Sequence, residues 1–347
     1  MEITCPIVVP RAGQSCLHRL AFSSWLRLSA SYPPPLASLR KPNFPTTRRL
    51  TPVAMSLSSS SLPSSFSAGL PVKGSEVSSS VLVAENDLLI VGPGVLGRIV
   101  AENWHQDHPG CQIFGQTMTV DHHEELIKMG IKPFLRGSLE TQKFPYVIFC
   151  APPSRSPDYL GDVRHAASCW SGDGSLLFTS STAAYDCNNN SLCDEESPIV
   201  PLGRSPRTDV LFGAEQAVLD VGGCVLRLAG LYKADRGAHT YWLEKGTVDS
   251  RPDHVVNLIH YEDAASLSIA ILKKKLRGQI FVGCDNHPLS RQEIMDCVSK
   301  SGKFNKKFEG FTGTGDSLGK RLNNSKTRAE IGWEPKYASF PHFLGQL

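Results

Sequence analysis

Gly92, Gly94 and Gly97 stand in the segment LLIVGPGVLGRIVAENW, residues 88–104. Their types and spacing suit a phosphate better than a proton. A pyrophosphate needs backbone N–H groups aimed at it and no side chain in the way. The amino terminus of a helix supplies both unpaired amides and partial positive charge. In G-x-G-x-x-G, the first glycine allows the tight turn out of a strand and the second lets the backbone approach the phosphates. The third lets the helix pack close to the sheet. Val95 and Leu96 then contribute amides of the first turn. The alternative is a bare strand-to-helix turn in an α/β protein of another kind.

Other candidates are placed by this reading. An acid ending the second strand would bind the adenosine ribose hydroxyls and select NAD. The stretch FGQTMT (114–119) holds none, and no Arg to clasp a 2′-phosphate either. Gln116 and Thr117 offer hydrogen bonds to either group. With no carboxylate to repel a phosphate, the reading favours NADP over NAD. In CAPP (150–153), Ala151 and Pro152 follow a strand at the edge of the expected cofactor path, and the two prolines make a stiff ledge. His122 and His123 lack a partner at ligand spacing, and the cysteines form no C-x-x-C, so no metal site is expected. His260 reads as a structural histidine, and Asp263 as a partner for a helix amino terminus. Cys187 and Cys193 flank the polar stretch CNNNSLC as two loop thiols, with a redox pair as the other reading.

The elements that must hold these residues are legible from periodicity. Apolar runs at 87–91, 111–115, 145–150, 175–180, 223–228 and 279–283 predict strands. Helical patterns lie at 95–106, 121–129, 158–170, 207–220, 261–275 and 289–301. Strands alternating with helices predict a parallel sheet, and apolar strands without strict alternation predict helices on both its faces. In the first helix Val95, Leu96, Ile99, Val100 and Trp104 share one stripe, while Arg98, Glu102 and Gln106 face outward.

Residues 1–75 are different in kind. They hold eight Lys or Arg against the single acid Glu2, with runs such as SLSSSSLPSSFS (56–67). Such a composition predicts an organelle transit peptide and linker over 1–78, with plastid stroma the expected destination and Met55 a second candidate start. That segment carries +7 of a chain whose net charge is +3, which leaves the rest at −4. The body has no basic stripe to grip a phosphate backbone, which argues against nucleic acid as a partner. No run reaches the ~20 apolar residues of a membrane span.

The stretches VGPGVLG (91–97), FTSSTAAYD (178–186), PRTDVLFGAEQAVL (206–219), LRLAGLY (226–232), NLIHYEDAA (257–265) and SKTRAEIGWEPKY (325–337) form a set. Together they resemble the short-chain dehydrogenase/reductase superfamily, most strongly its atypical NAD-dependent epimerase/dehydratase-like branch, the nucleoside-diphosphate-sugar epimerase-like (YeeZ-like) proteins. The resemblance implies a doubly wound Rossmann domain over 79–347, with a small substrate lobe from 229–256 and 284–347. It implies a nicotinamide dinucleotide and a small-molecule substrate. Ser181 matches the catalytic serine of the family, and Arg236 matches an arginine near the substrate lobe.

The departures are chemical. The family's acid/base is a Tyr whose pKa is lowered by a Lys one helical turn later. Arg207 stands at the Tyr position and Leu211 at the Lys position. A guanidinium stays charged and shuttles no proton, but Arg207 suits an anionic substrate. Tyr185 matches a Tyr that follows the serine motif and is the remaining candidate for proton transfer, with plain packing as its other reading. Two functions follow: an NAD(P)-binding oxidoreductase- or epimerase-like protein without the Tyr-x-x-x-Lys pair, or a non-catalytic nucleotide-binding sensor, assembly factor or RNA-associated scaffold.

Overall fold

The computed structural model describes residues 83–138, 142–315 and 317–347. The transit-peptide reading of 1–78 lies outside them. The first half runs β1 (Leu88–Val91), α1 (Val95–Asp107), β2 (Ile113–Thr117), α2 (His123–Lys128), β3 (Ile131–Leu135), β4 (Phe144–Phe149), α3 (Tyr159–Ser168) and β5 (Trp170–Ser181). There follow β6 (Ser191–Cys193), α4 (Pro206–Leu219), β7 (Cys224–Leu228), β8 (Gly230–Tyr232), α5 (Ala238–Lys245), β9 (Thr247–Val248), β10 (Val255–Val256) and β11 (Leu258–His260). The chain ends with α6 (Tyr261–Lys274), β12 (Ile280–Gly283), β13 (Leu289–Ser290), α7 (Arg291–Ser301), β14 (Gly310–Phe311), β15 (Lys320–Leu322), α8 (Ser325–Ile331) and α9 (Phe340–Gln346).

Seven strands form one parallel sheet in the order β12-β7-β5-β4-β1-β2-β3. β1 is buried throughout because its side chains serve two cores. Leu88 and Ile90 pack with Leu96, Val100 and Trp104 of α1 and with α6. Leu89 and Val91 pack with Tyr159 and Val163 of α3 and Ala214 and Val218 of α4. This is the α/β doubly wound Rossmann architecture that the alternation of apolar runs predicted.

β3 is the strand the periodicity missed. Its sequence, IKPFL, has Lys132 and Pro133 in the middle, and its burial is poor. It lies at the sheet edge, where a missing N–H costs no ladder bond.

A third core lies away from the sheet. Tyr232, Trp242, Leu258, Ile294, Met295, Val298, Phe340 and Phe343 meet there, joining α5, α7 and α9. The residues expected in a separate lobe divide between two cores, because Leu322, Ile331 and Trp333 pack into the sheet core instead. Side-chain hydrogen bonds tie them in: Thr327 Oγ1 accepts from Val282 N at 2.9 Å, and Trp333 Nε1 donates to Ser266 Oγ at 2.9 Å. The C-terminal segment therefore connects lobe and sheet.

Candidate functional site

The strand order reverses at β1, with β2 on one side and β4 on the other. Such a reversal opens a crevice at the carboxyl ends of the central strands. The sequence-derived cofactor residues collect there. Gly92 N donates to Gln116 O at 3.0 Å, and a Cβ on Gly92 would lie 2.7 Å from Ala151. β1, β2 and β4 thus end within contact of one glycine.

The three glycines do different work. Gly92 has φ +78°, a left-handed conformation, and has Ala151 against it, so both backbone and space require glycine. A Cβ on Gly97 would meet Ile90 Cγ2 at 2.9 Å, which fixes how closely α1 lies on β1. Gly94 has an ordinary φ of −78°. The nearest atom to a Cβ there is Gly92 O, 4.0 Å away. Nothing within the chain needs Gly94 to be bare, and the room beside it is open.

α1 begins at this opening. No side chain caps it and its first turn has no acid. By contrast α3, α4 and α7 are capped by Asp158, Ser205 and Ser290. Unpaired amides beside open space, with no acid in the helix's own first turn, make a seat for an anion. Pro93 stiffens the turn, and Gly115 of β2 leaves space for its ring.

At the end of β2, Gln116 is only 4% exposed and its Oε1 has no partner among the described residues. Thr117 Oγ1 donates to Phe134 O at 3.3 Å and lies 2.7 Å from His123 Nε2. The fold also brings an arginine that FGQTMT does not contain. Arg98, in the first turn of α1, reaches α2, where Nη2 pairs with Glu125 Oε2 at 2.9 Å, and its Nε donates to Pro93 O at 3.3 Å. The guanidinium holds the Glu125 carboxyl below its usual range. Its sequence signal was a polar residue facing out of the helical stripe, which says nothing about what lies opposite.

On the other side of β1, β5 ends at Ser181. Its Oγ accepts from Ala183 N at 3.2 Å and starts the 3₁₀ turn Thr182–Ala184. Tyr185 follows, and its surroundings favour packing over proton transfer. Tyr185 is 2% exposed and stacks under Arg227, 4.7 Å from ring centroid to guanidinium carbon. Burial pushes its hydroxyl up to about 12, away from the range an acid/base needs near neutrality. Arg227 makes a bidentate pair with Glu215, which also accepts from Ser180 Oγ. Arg207 is half-buried in the first turn of α4, and Leu211 is fully buried one turn later.

His260 is a structural histidine that caps α6: its Nδ1 accepts from Glu262 N at 3.2 Å. Asp263 stands in the first turn of α6, at the helix amino terminus as expected, and also accepts from the backbone N–H groups of Lys336 and Tyr337 at 2.7 and 3.1 Å, which holds the C-terminal segment. Arg236 Nε donates to Tyr261 Oη at 3.1 Å. Cys187 and Cys193 are both free, buried thiols in contact with each other, and burial raises Cys193 to about 12. Among the described residues no cluster of three His, Cys, Asp or Glu suits a metal ion, and no helix is long and apolar enough to cross a membrane.

The burial of Asp285 predicts a pH dependence of stability. It is buried beyond β12 with Oδ2 unpartnered, while Oδ1 accepts from His287 N at 2.9 Å. Desolvation raises its carboxyl from 3.8 to about 7, and Asp263 is raised to about 6 for the same reason. The folded chain holds these protons where the unfolded chain has released them. The stabilisation is complete below the unfolded value and is lost as pH rises toward the folded one. Urea melts should show stability falling between about pH 4 and about pH 7. Asp285→Asn should flatten that fall and add roughly 3 kcal/mol at about pH 8. An unchanged slope in the variant would remove Asp285 as the cause.

No protein-family model matches the chain, and no curated protein matches it. Solved structures do. A functionally unknown conserved protein from Silicibacter pomeroyi is 25% identical, with a TM-score of 0.63 over 75% of this chain and 97% of that one. dTDP-glucose 4,6-dehydratase from Bacillus anthracis, in complex with NAD, gives 0.61 at 15% identity over 75% of this chain and 94% of that one. UDP-glucose 4-epimerase from Thermotoga maritima, with UDP-glucose, gives 0.60 at 16% identity over 74% and 96%. The sheet with its flanking helices is the Rossmann fold that these epimerases and dehydratases share.

Proposed function

We propose that this chain binds a nicotinamide dinucleotide in the manner of epimerase/dehydratase-type proteins, with NADP preferred, and that it works in the plastid stroma. The observation that carries the reading is the uncapped start of α1 facing open space at Gly94. The residues present fit the group: amides for the pyrophosphate and the unpartnered Gln116 Oε1 for a ribose hydroxyl. When bound, the nicotinamide would exchange a hydride with a small-molecule substrate. Ser181, at the end of β5, would orient a polar group of that substrate, and Arg207 would attract an anionic one.

Arg98 supports the NADP preference. A 2′-phosphate would take over the guanidinium now held by Glu125, and a phosphate binds Arg with charge-assisted, often bidentate hydrogen bonds. Titration calorimetry of the full chain with NADP and NAD tests this. NADP should bind more tightly. Arg98→Ala should weaken NADP about tenfold and leave NAD nearly unchanged. Equal losses for both ligands would place Arg98 outside the ribose site, and absence of binding to either would remove the reading.

A second reading is a nucleotide-binding sensor or assembly factor without turnover. The burial of Tyr185 supports it, because burial disfavours proton transfer by its hydroxyl. Tight cofactor binding with no change in cofactor absorbance across a panel of sugar nucleotides and simple carbonyls would select this reading over the first.

A further inference from the structure

Leu211 removes the cation that α4 would have carried beside the Ser181 turn. A cation reaches that turn nonetheless, from the far end of the chain. Lys320 opens β15, and its Nζ donates to Thr182 O at 2.9 Å and Tyr185 O at 2.6 Å. These carbonyls bracket the 3₁₀ turn that begins immediately after Ser181. The ammonium lies 5.9 Å from the Tyr185 ring centroid. β15 is fixed in place by parallel pairing with β6 and by Asn257, which donates to Lys320 O and accepts from Leu322 N, both at 2.8 Å.

The charge on Lys320 is not cancelled locally. Among the described residues its ammonium makes no ion pair. Asp186, whose charge acts on Lys320, is held by Arg204, and Cys193 is kept as a neutral thiol by burial. The charge of Arg227 is matched by Glu215. Burial lowers the Lys320 pKa, consistent with an ammonium that lacks a carboxylate partner.

We propose that Lys320 is a positioning residue that holds the Ser181 turn and makes the site prefer the reduced, uncharged nicotinamide ring to the oxidised, cationic one. The inference rests on the dinucleotide reading. In a crevice at this switch point the half of the cofactor beyond the pyrophosphate would extend toward the ends of β4 and β5, and Lys320 holds the turn that follows β5. The two redox forms differ by one positive charge on the ring, and a fixed cation nearby disfavours the charged form.

The test is equilibrium titration of the full chain with three probes. They are the oxidised and the reduced dinucleotide and the matching ADP-ribose fragment that lacks nicotinamide. Wild type should bind the reduced form about three- to tenfold more tightly than the oxidised form. Lys320→Met should bring the two together and leave the fragment's affinity unchanged, and Lys320→Arg should keep the preference. A purely structural lysine would not move the ratio. The inference is overturned by a wild type without preference, or by an unchanged ratio in Lys320→Met. It is also overturned if the Met variant loses all three ligands together with its melting temperature. A wild type that binds none of the three, fragment included, would instead overturn the dinucleotide reading itself.

Discussion

Gly94→Glu should abolish dinucleotide binding, with a loss of about a hundredfold or more, and should leave the melting temperature unchanged. The two halves of this result have separate causes. Gly94 has φ −78°, which any residue adopts, and a new Cβ meets nothing closer than Gly92 O at 4.0 Å. The side chain therefore fits the folded chain. It places a carboxylate where the phosphates would sit, and like charges brought together cost several kcal/mol. An acid at a helix amino terminus even favours the helix. Gly92→Ala is the contrasting control. It forces a Cβ onto a left-handed residue and to 2.7 Å from Ala151, so it should lower the melting temperature as well as affinity. Calorimetric titration and thermal melts on the same preparations separate the two. If Gly94→Glu still binds NADP at wild-type affinity, the amino terminus of α1 is not the phosphate seat.

Glu215→Leu should destabilise the fold more than any surface change. Glu215 and Arg227 are each 3% exposed and form a bidentate pair at 3.1 and 2.7 Å. Removing the carboxylate leaves a guanidinium buried without a partner, which costs about 3–5 kcal/mol. For a domain of this size that is a fall of about 6–20 °C in melting temperature. The double variant Glu215→Leu with Arg227→Met should recover most of the loss, because it removes both charges from the interior. A single variant that melts like wild type would show that Arg227 finds water or another partner. The pair also supports the site: Tyr185 stacks on Arg227, and the turn after Ser181 rests on Tyr185.

The sheet was legible in advance because its strands are short apolar runs between helical patterns. Six of the central strands carried that signal, from DLLIV to QIFVG. β3 did not, since an edge strand tolerates Lys132 and Pro133 and so loses the apolar signature. The glycine loop was legible because close approach of backbone to backbone leaves a mark in residue type. Gly92 and Gly97 could be nothing larger. Tyr185 kept two readings, packing and proton transfer, because a sequence gives a residue's type but not its exposure. Asp263 stands in the first turn of α6 as its position predicted, but its bonds to Lys336 and Tyr337 were not legible, because those partners come from a distant segment.

By itself, then, the sequence determined the parallel α/β layering and the glycine-bearing strand-to-helix turn at residues 92–97. Each depends on periodicity or on spacing within one segment. The tertiary structure alone decided which charges face that loop and the serine turn. Arg98 meets Glu125 across two helices, Glu215 meets Arg227, and Lys320 crosses from the C-terminal strand to Thr182 and Tyr185. Such partners are set by how distant segments pack. A charged side chain has the same local pattern whether it ends in water or against a partner more than a hundred residues away.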